Sequence, residues 1–499
     1  MLQTFYEGRC LDHPNPPHKE NHLSPHLYMK SYYLHILRYA LRGLLIALPL
    51  ALLPACSDEE DPTLPPQQKC GRVVMVYMSM QNSLGNKGYH LNDSTEIAQF
   101  NDSTEIAQAM AYIPENDRLL LFIDDAQAPR MYELERNLKA PKLVKRWTKD
   151  FSTASKEGLQ EVLTLMRTQY AADEYALVVG SHASGWLPKP AETAVSSNRR
   201  NTDGTAAYSC PKRTVGIDVG EGGDMGDDKG ANGTVPDQME IADFASAVNA
   251  AGVYLRYILF DACLMQSVET AYALRKITDY IIASPISVSA EGAYYTDLVR
   301  YGLYNASPDM VAITYLSYYK GQGSIPYYPE NHPFKYYGTV ISSIRTDALP
   351  QLAATVRNIL PSLTNTTNGN ATTWDMTEAL DYHKYNYNAN NDYNAKNYYL
   401  PHFYDLYSAF EAMGADQAQL KELRGAIDQA VTFYGATVKV WIGPFFQTMP
   451  EAEEYCGVAA FIPQHLYTDN AAKSAYGDFN TAFRHTEWYK EAGWDVTGW

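Results

Sequence analysis

Tyr257-Ile258-Leu259-Phe260-Asp261-Ala262-Cys263-Leu264-Met265 decides the fold. An apolar run stops at an acid, a small residue and a cysteine, and a helical pattern follows at once from Gln266 to Lys276. A short continuous apolar run of this kind, followed by a helix, predicts a strand buried on both faces of a parallel sheet. Cys263 then stands at the carboxyl end of that strand, the edge at which open α/β sheets bind ligands.

A thiol there needs a base. Tyr175-Ala176-Leu177-Val178-Val179-Gly180-Ser181-His182-Ala183-Ser184-Gly185-Trp186 is a second apolar strand, and it ends in a histidine among small residues. If the two strands are parallel neighbours, His182 and Cys263 meet at one sheet edge. Thiol plus imidazole is the minimum set for nucleophilic acyl transfer. Ser181 and Ser184 lie in no Gly-x-Ser-x-Gly elbow, so neither is read as a nucleophile.

Leu177 to Trp186 and Phe260 to Glu269 resemble the two signature blocks of the clostripain family of cysteine peptidases, in the caspase-like clan. Val74-Met75-Val76-Tyr77-Met78 with Gln81-Asn82-Ser83-Leu84 resembles the family's first strand and turn. Trp488-Tyr489-Lys490-Glu491-Ala492-Gly493-Trp494 is similar to the end of clostripain-related lipoproteins of gut bacteria. The resemblance implies a caspase-like α/β fold, with a mostly parallel sheet covered by helices on both faces and a C-terminal α+β extension. It implies a Cys263–His182 dyad, with the backbone N–H groups of Cys263 and Ala183 stabilising the oxyanion. It also implies that Asp261 lines the pocket for a basic substrate residue. Asp261 lies two residues before Cys263, which on a strand puts both side chains on one face. Glu291, in the stretch Ser287 to Asp297 that aligns loosely with the family's substrate-pocket loop, is a second carboxylate for that pocket. One departure bears on activity: Ala183 stands where the family has glycine, and a left-handed backbone there would penalise alanine.

The chain has 499 residues and a net charge of −17, which argues against nucleic acid and against an anionic membrane surface as partners of the protein body. Six cysteines, Cys10, Cys56, Cys70, Cys210, Cys263 and Cys456, form neither a zinc spacing nor a disulfide ladder. Residues 1–28 read as a segment upstream of the true start at Met29. Residues 29–55 read as a lipoprotein signal peptide: Lys30 and Arg38 precede an apolar core too short for a confident spanning helix, and Leu53-Pro54-Ala55-Cys56 resembles a lipobox. Cys56 is therefore the expected lipidation site, with an anchor in the bacterial outer membrane. Residues 56–71 form an acidic, proline-bearing tether, whose run Ser57 to Asp61 resembles a surface-export signal.

The peptidase core is expected over residues 72–308, with strands at Arg72 to Met80 and Arg118 to Asp124. An edge hairpin is expected at Met131 to Leu138 and Lys142 to Trp147, and a helix from Glu157 to Tyr170. The repeat Asn92 to Gln99 recurs at Asn101 to Gln108. A nine-residue period turns a helix by ~900°, so the copies would face opposite sides. They are read as a surface duplication without a function. Residues 187–236 are polar and glycine-rich, and a loop that long inside a domain is functional or disordered. Its acids Asp218, Glu221, Asp224, Asp227 and Asp228 admit calcium; no cofactor is otherwise required, and no metal site is assigned. Its basic residues Arg199, Arg200, Lys212 and Arg213 are candidate self-cleavage sites, accessible to an enzyme that cuts after basic residues. The resemblance implies activation by such a cut, as is common in the clan, and the two fragments are expected to stay associated.

Residues 309–499 are expected to extend the sheet. Strands are read at Tyr337 to Arg345, Ala436 to Ile442 and Cys456 to Ile462, helices at Gln351 to Leu360 and Gln417 to Tyr434, and a loop-rich insertion at 365–397. Two function classes follow: a surface-anchored endopeptidase for peptides with Arg or Lys, and a non-catalytic surface lipoprotein that binds peptides or glycans.

Overall fold

The computed structural model describes residues 69–85, 105–125, 127–187, 215–225, 230–231, 234, 236–289, 291–321, 337–366, 371–387, 398–442, 446–468 and 479–499. These lie in the compact unit that runs from Pro66 to Trp499. The signal peptide, Cys56 and the tether up to residue 68 lie outside the described residues, as do Arg199, Arg200, Lys212 and Arg213.

The apolar runs become the strands of one sheet. In chain order these are β1 (Cys70–Ser79), β2 (Arg118–Asp124), β3 (Arg130–Leu134), β4 (Lys142–Arg146), β5 (Ala172–Gly180), β6 (Leu255–Asp261), β7 (Tyr280–Ala283), β8 (Val340–Arg345) and β9 (Val431–Ala436). Among the described residues they form a nine-stranded sheet in the order β9-β8-β7-β6-β5-β1-β2-β3-β4. The pairs β1–β2, β1–β5, β5–β6 and β6–β7 are parallel. The hairpin β3–β4 and the strands β8 and β9 add antiparallel margins. The sheet is therefore mostly parallel at its centre.

Strand periodicity explains why the central runs are apolar throughout. Alternate residues of β1, β5 and β6 feed two different cores. Val73, Met75, Tyr77, Leu177, Val179, Ile258 and Phe260 join a cluster with helices α1 (Lys156–Gln169), α2 (Ile241–Ala250) and α3 (Val268–Leu274). Val74, Val76, Met78, Ala176, Val178, Tyr257 and Leu259 face the other way, onto the helix Asp309–Tyr319 and the turn of helix before it. Ser155 and Ser267 cap α1 and α3 by accepting hydrogen bonds from the N–H groups of Gly158 and Thr270. The C-terminal aromatics Trp488 and Trp494 are buried in the first cluster.

Five local readings differ from the structure. The helix expected to reach Tyr434 ends at Ala430, and Val431–Ala436 is β9 instead. The β-branched and aromatic residues there fit a pleated edge better than a helix. The strand expected from Ala436 to Ile442 is only Lys439–Trp441, and that expected from Cys456 to Ile462 is only Ala459–Ala460. The long loop contains a strand, Val215–Asp218, all four residues buried, which pairs antiparallel with Asp237–Met239. The repeat is not wholly superficial: in the second copy Ile106 is fully buried in the core and Glu105 is half-buried.

Candidate active site

The β5–β6 register fixes the site. Gly180, the last residue of β5, lies opposite Asp261, the last residue of β6. His182 and Cys263 each follow two residues later, so parallel pairing delivers both to the same sheet edge, as the sequence predicts. Both are half-buried.

The histidine arm is fixed by its backbone. The His182 carbonyl accepts a hydrogen bond from the N–H of Gly216 at 2.9 Å, and Ala183 pairs antiparallel with Val215. That pattern makes Ala183 and Val215 a pair that exchanges no hydrogen bonds, so the bridge does not consume the Ala183 N–H. The bridge also keeps Ala183 extended. Among the described residues the non-glycine residue with a positive φ is Leu264, at 61°. The left-handed penalty expected for alanine at 183 therefore does not arise. Ser181 is buried and donates to the Ser79 carbonyl at 2.9 Å, a structural use. The His182 Nε2 lies 2.9 Å from the Ser83 hydroxyl oxygen.

The cysteine arm turns sharply. The Val288 N–H donates to Cys263 Sγ at 3.3 Å, and the Leu264 N–H donates to the Ile286 carbonyl at 3.1 Å. Leu264 holds its left-handed backbone while its side chain is fully buried. The two arms interlock at Gly185, whose φ is 67°: a Cβ there would lie 2.6 Å from the Leu264 carbonyl oxygen. Gln266 anchors the following turn, its amide donating to the Ser342 carbonyl at 2.8 Å.

Asp261 and Cys263 do not share a face. β6 ends at Asp261, so period-two alternation does not extend to Cys263. Cys263 packs against the cluster of α1 to α3, whereas the partners of Asp261, Ala293, Tyr295 and Tyr315, belong to the cluster on the opposite side. There its carboxylate accepts hydrogen bonds from the Ala293 N–H at 2.9 Å, the Tyr315 hydroxyl at 3.0 Å and the Tyr295 hydroxyl at 3.2 Å. Burial raises the proton affinity of Asp261, and those three donors oppose the rise. Gly292, with φ 54°, lets the loop close over this carboxylate, because a Cβ would lie 2.5 Å from its Oδ2.

Burial raises Glu291 to about 7. A third acid, Glu105, was not anticipated. It accepts from the Tyr295 N–H at 3.0 Å, so Glu105 and Asp261 hold opposite ends of one tyrosine. Burial raises Glu105 to about 8; the Tyr295 N–H opposes this, and the charges of Glu291, Asp297 and Asp261 add to it. Nothing in the sequence pattern marks Glu105, because it sits in the duplicated segment.

Of the loop acids proposed for calcium, Asp218 is committed inward, accepting from the Thr153 and Gly220 N–H groups at 2.6 and 2.9 Å. Asp227 and Asp228 lie outside the described residues. Among the described residues no helix is long and apolar enough to cross a membrane.

The model of the clostripain family matches residues 76–201 and 227–499. The chain is similar to the solved structure of a secreted C11 cysteine protease from Bacteroides thetaiotaomicron in complex with an irreversible peptide inhibitor. Identity is 22%, 85% of this chain and 99% of that one are covered, and the TM-score is 0.61. It is also similar to an inactive zymogen C11 protease from Parabacteroides distasonis, at 22% identity, with 86% and 99% covered and a TM-score of 0.59. At these identities the likeness speaks for the fold. No curated protein matches the chain.

Proposed function

The chain belongs to the clostripain family of cysteine peptidases, and from that premise we propose that it is a surface-anchored endopeptidase that cuts after Arg or Lys. One observation carries the reading: the matched ends of β5 and β6 bring His182 and Cys263 to the same sheet edge. His182 takes the Cys263 thiol proton, and the thiolate attacks the substrate carbonyl. The N–H groups of Cys263 and Ala183 receive the negative charge that develops on oxygen. His182 then gives its proton to the leaving amine, and water hydrolyses the thioester to release the acid and the free thiol.

Selectivity for a basic residue rests on Asp261 and Glu291, with Glu105 beside them. Burial holds both glutamates toward protonation, and at Glu105 the charge of Glu291 adds to it. A guanidinium or ammonium entering among them relieves the repulsion and favours their charged form. Export and anchoring rest on the lipobox-like stretch before Cys56, in keeping with the secreted protease to which this chain is similar. Activation by self-cleavage near Arg199-Arg200 or Lys212-Arg213 rests on the composition of that segment, and the similar Parabacteroides distasonis protease was solved as a zymogen.

The test is hydrolysis of peptides with a single Arg, Lys or neutral residue before the scissile bond. Wild type should cut after Arg and Lys, and Cys263→Ala should not cut. Wild-type turnover in Cys263→Ala would refute the mechanism. New N-termini within residues 187–236 in wild type, absent from Cys263→Ala, are the expected mark of self-cleavage.

A further inference from the structure

A dyad leaves open what orients its imidazole. A histidine ring turns through a broad, roughly two-fold torsion, and a second hydrogen bond to the ring selects its tautomer and its direction. We propose that Ser83 is the positioning residue of His182, and that Asn82 holds Ser83 in place; this rests on the reading of His182 as the base.

The first observation is direct: the Ser83 hydroxyl lies 2.9 Å from His182 Nε2. A hydroxyl accepts from an Nε2–H whether the ring is neutral or an imidazolium. With Nε2 engaged in this way, proton exchange with the thiol falls to Nδ1. Three carboxylates of the fold have partners of their own. Asp261 is held by three donors on its tyrosine side, and Asp124 and Asp218 receive the Thr153 hydroxyl at 2.7 and 3.1 Å.

The second observation is how Ser83 is placed. Asn82 is fully buried in the turn after β1. Its amide nitrogen donates to the Ser79 carbonyl at 2.8 Å and to the Ile217 carbonyl at 2.9 Å, and its amide oxygen accepts from the Leu84 N–H at 2.9 Å. That is an Asx-type turn locked to two other segments. Neither an aspartate nor an apolar residue reproduces both donations.

The third observation joins the two arms. The strand Val215–Asp218 supplies the Ile217 carbonyl to Asn82 and the Gly216 N–H to the His182 carbonyl, and the next residue, Val219, donates to the Gln81 carbonyl at 2.9 Å. One buried strand thus sets the spacing between the hydroxyl and the imidazole.

The experiment compares wild type, Ser83→Ala, Ser83→Thr and His182→Ala in turnover of an arginine peptide, the pH profile of kcat, and the pH dependence of Cys263 alkylation by iodoacetamide. Thermal melts establish that each variant folds. Loss of orientation should lower kcat of Ser83→Ala on the order of 10- to 100-fold with KM unchanged. The pH limbs of kcat and of alkylation should move together, and Ser83→Thr, which keeps the hydroxyl, should recover most of both. Ser83→Ala with wild-type kcat and unmoved limbs overturns the inference. So does a loss that leaves the limbs in place and that threonine does not rescue. If His182→Ala keeps its activity, the reading of the base itself fails; if it is inactive while Ser83→Ala matches wild type, only the role of Ser83 fails.

Discussion

Gly185 is where the two arms of the site touch, and it tolerates no side chain. Its φ is 67°, and an added Cβ would meet the Leu264 carbonyl oxygen at 2.6 Å. Gly185→Ala should destabilise the fold by about 1–3 kcal/mol through overpacking. It should reduce turnover further by displacing His182 from Cys263. A melt paired with kcat checks both, and wild-type values in each would remove Gly185 from that role. Glu291 gives a second test. Because burial raises it to about 7, lowering the pH through that value neutralises it and removes attraction for a basic side chain. The ratio of kcat/KM for an arginine peptide to that for a neutral isostere should therefore fall as pH drops from 8 to 6. Glu291→Gln should flatten that dependence. A ratio that stays constant in wild type would exclude Glu291 from recognition.

The strand Val215–Asp218 is held to the sheet edge by carboxylates that would rather be neutral. Burial raises the proton affinity of Asp124, and the charge of Asp218 adds to it. A carboxyl whose affinity is raised on folding contributes stability that is complete below its unfolded pKa and is lost as pH rises through its folded one. Asp124→Asn keeps an acceptor for the Thr153 hydroxyl but cannot ionise. Its melting temperature should gain on wild type steadily as pH rises from 5 to 9, and a difference independent of pH would show that Asp124 carries no such load. This strand was also the least legible element. β1, β2, β5 and β6 are continuous apolar runs, and both site residues follow from where those runs stop. Val215-Gly216-Ile217-Asp218 is too short and too mixed to stand out from the polar segment around it. Its burial comes from partners far away in the chain, Thr153, Asn82 and His182. Glu105 stayed hidden for a related reason: its partner Tyr295 lies 190 residues on. Asp261 was singled out by the resemblance, and the facing read from its spacing was wrong, because alternation lapses once a strand ends.

At the scale of the molecule, the segment between His182 and Cys263 connects two paired strands of one sheet. A cut within it leaves β5 and β6 joined along a ladder from Tyr175 to Gly180. The fragments of a self-cleaved chain should co-elute in native size exclusion and separate only in denaturant. Separation under native conditions would show that the ladder does not hold them. The sheet margin carries a different consequence. β4, Lys142-Leu143-Val144-Lys145-Arg146, is the last strand on its side among the described residues. Its lysines pair with acids of the same chain, Lys142 with Glu133 at 3.0 Å and Lys145 with Glu161 at 3.2 Å. An open ladder would recruit a second sheet, but docking a copy of β4 against it would bring like charges together and strip their water. The basic edge is thus a guard against fibrous stacking. Lys142→Thr combined with Lys145→Val should expose a sticky margin and give more concentration-dependent association in sedimentation velocity than wild type.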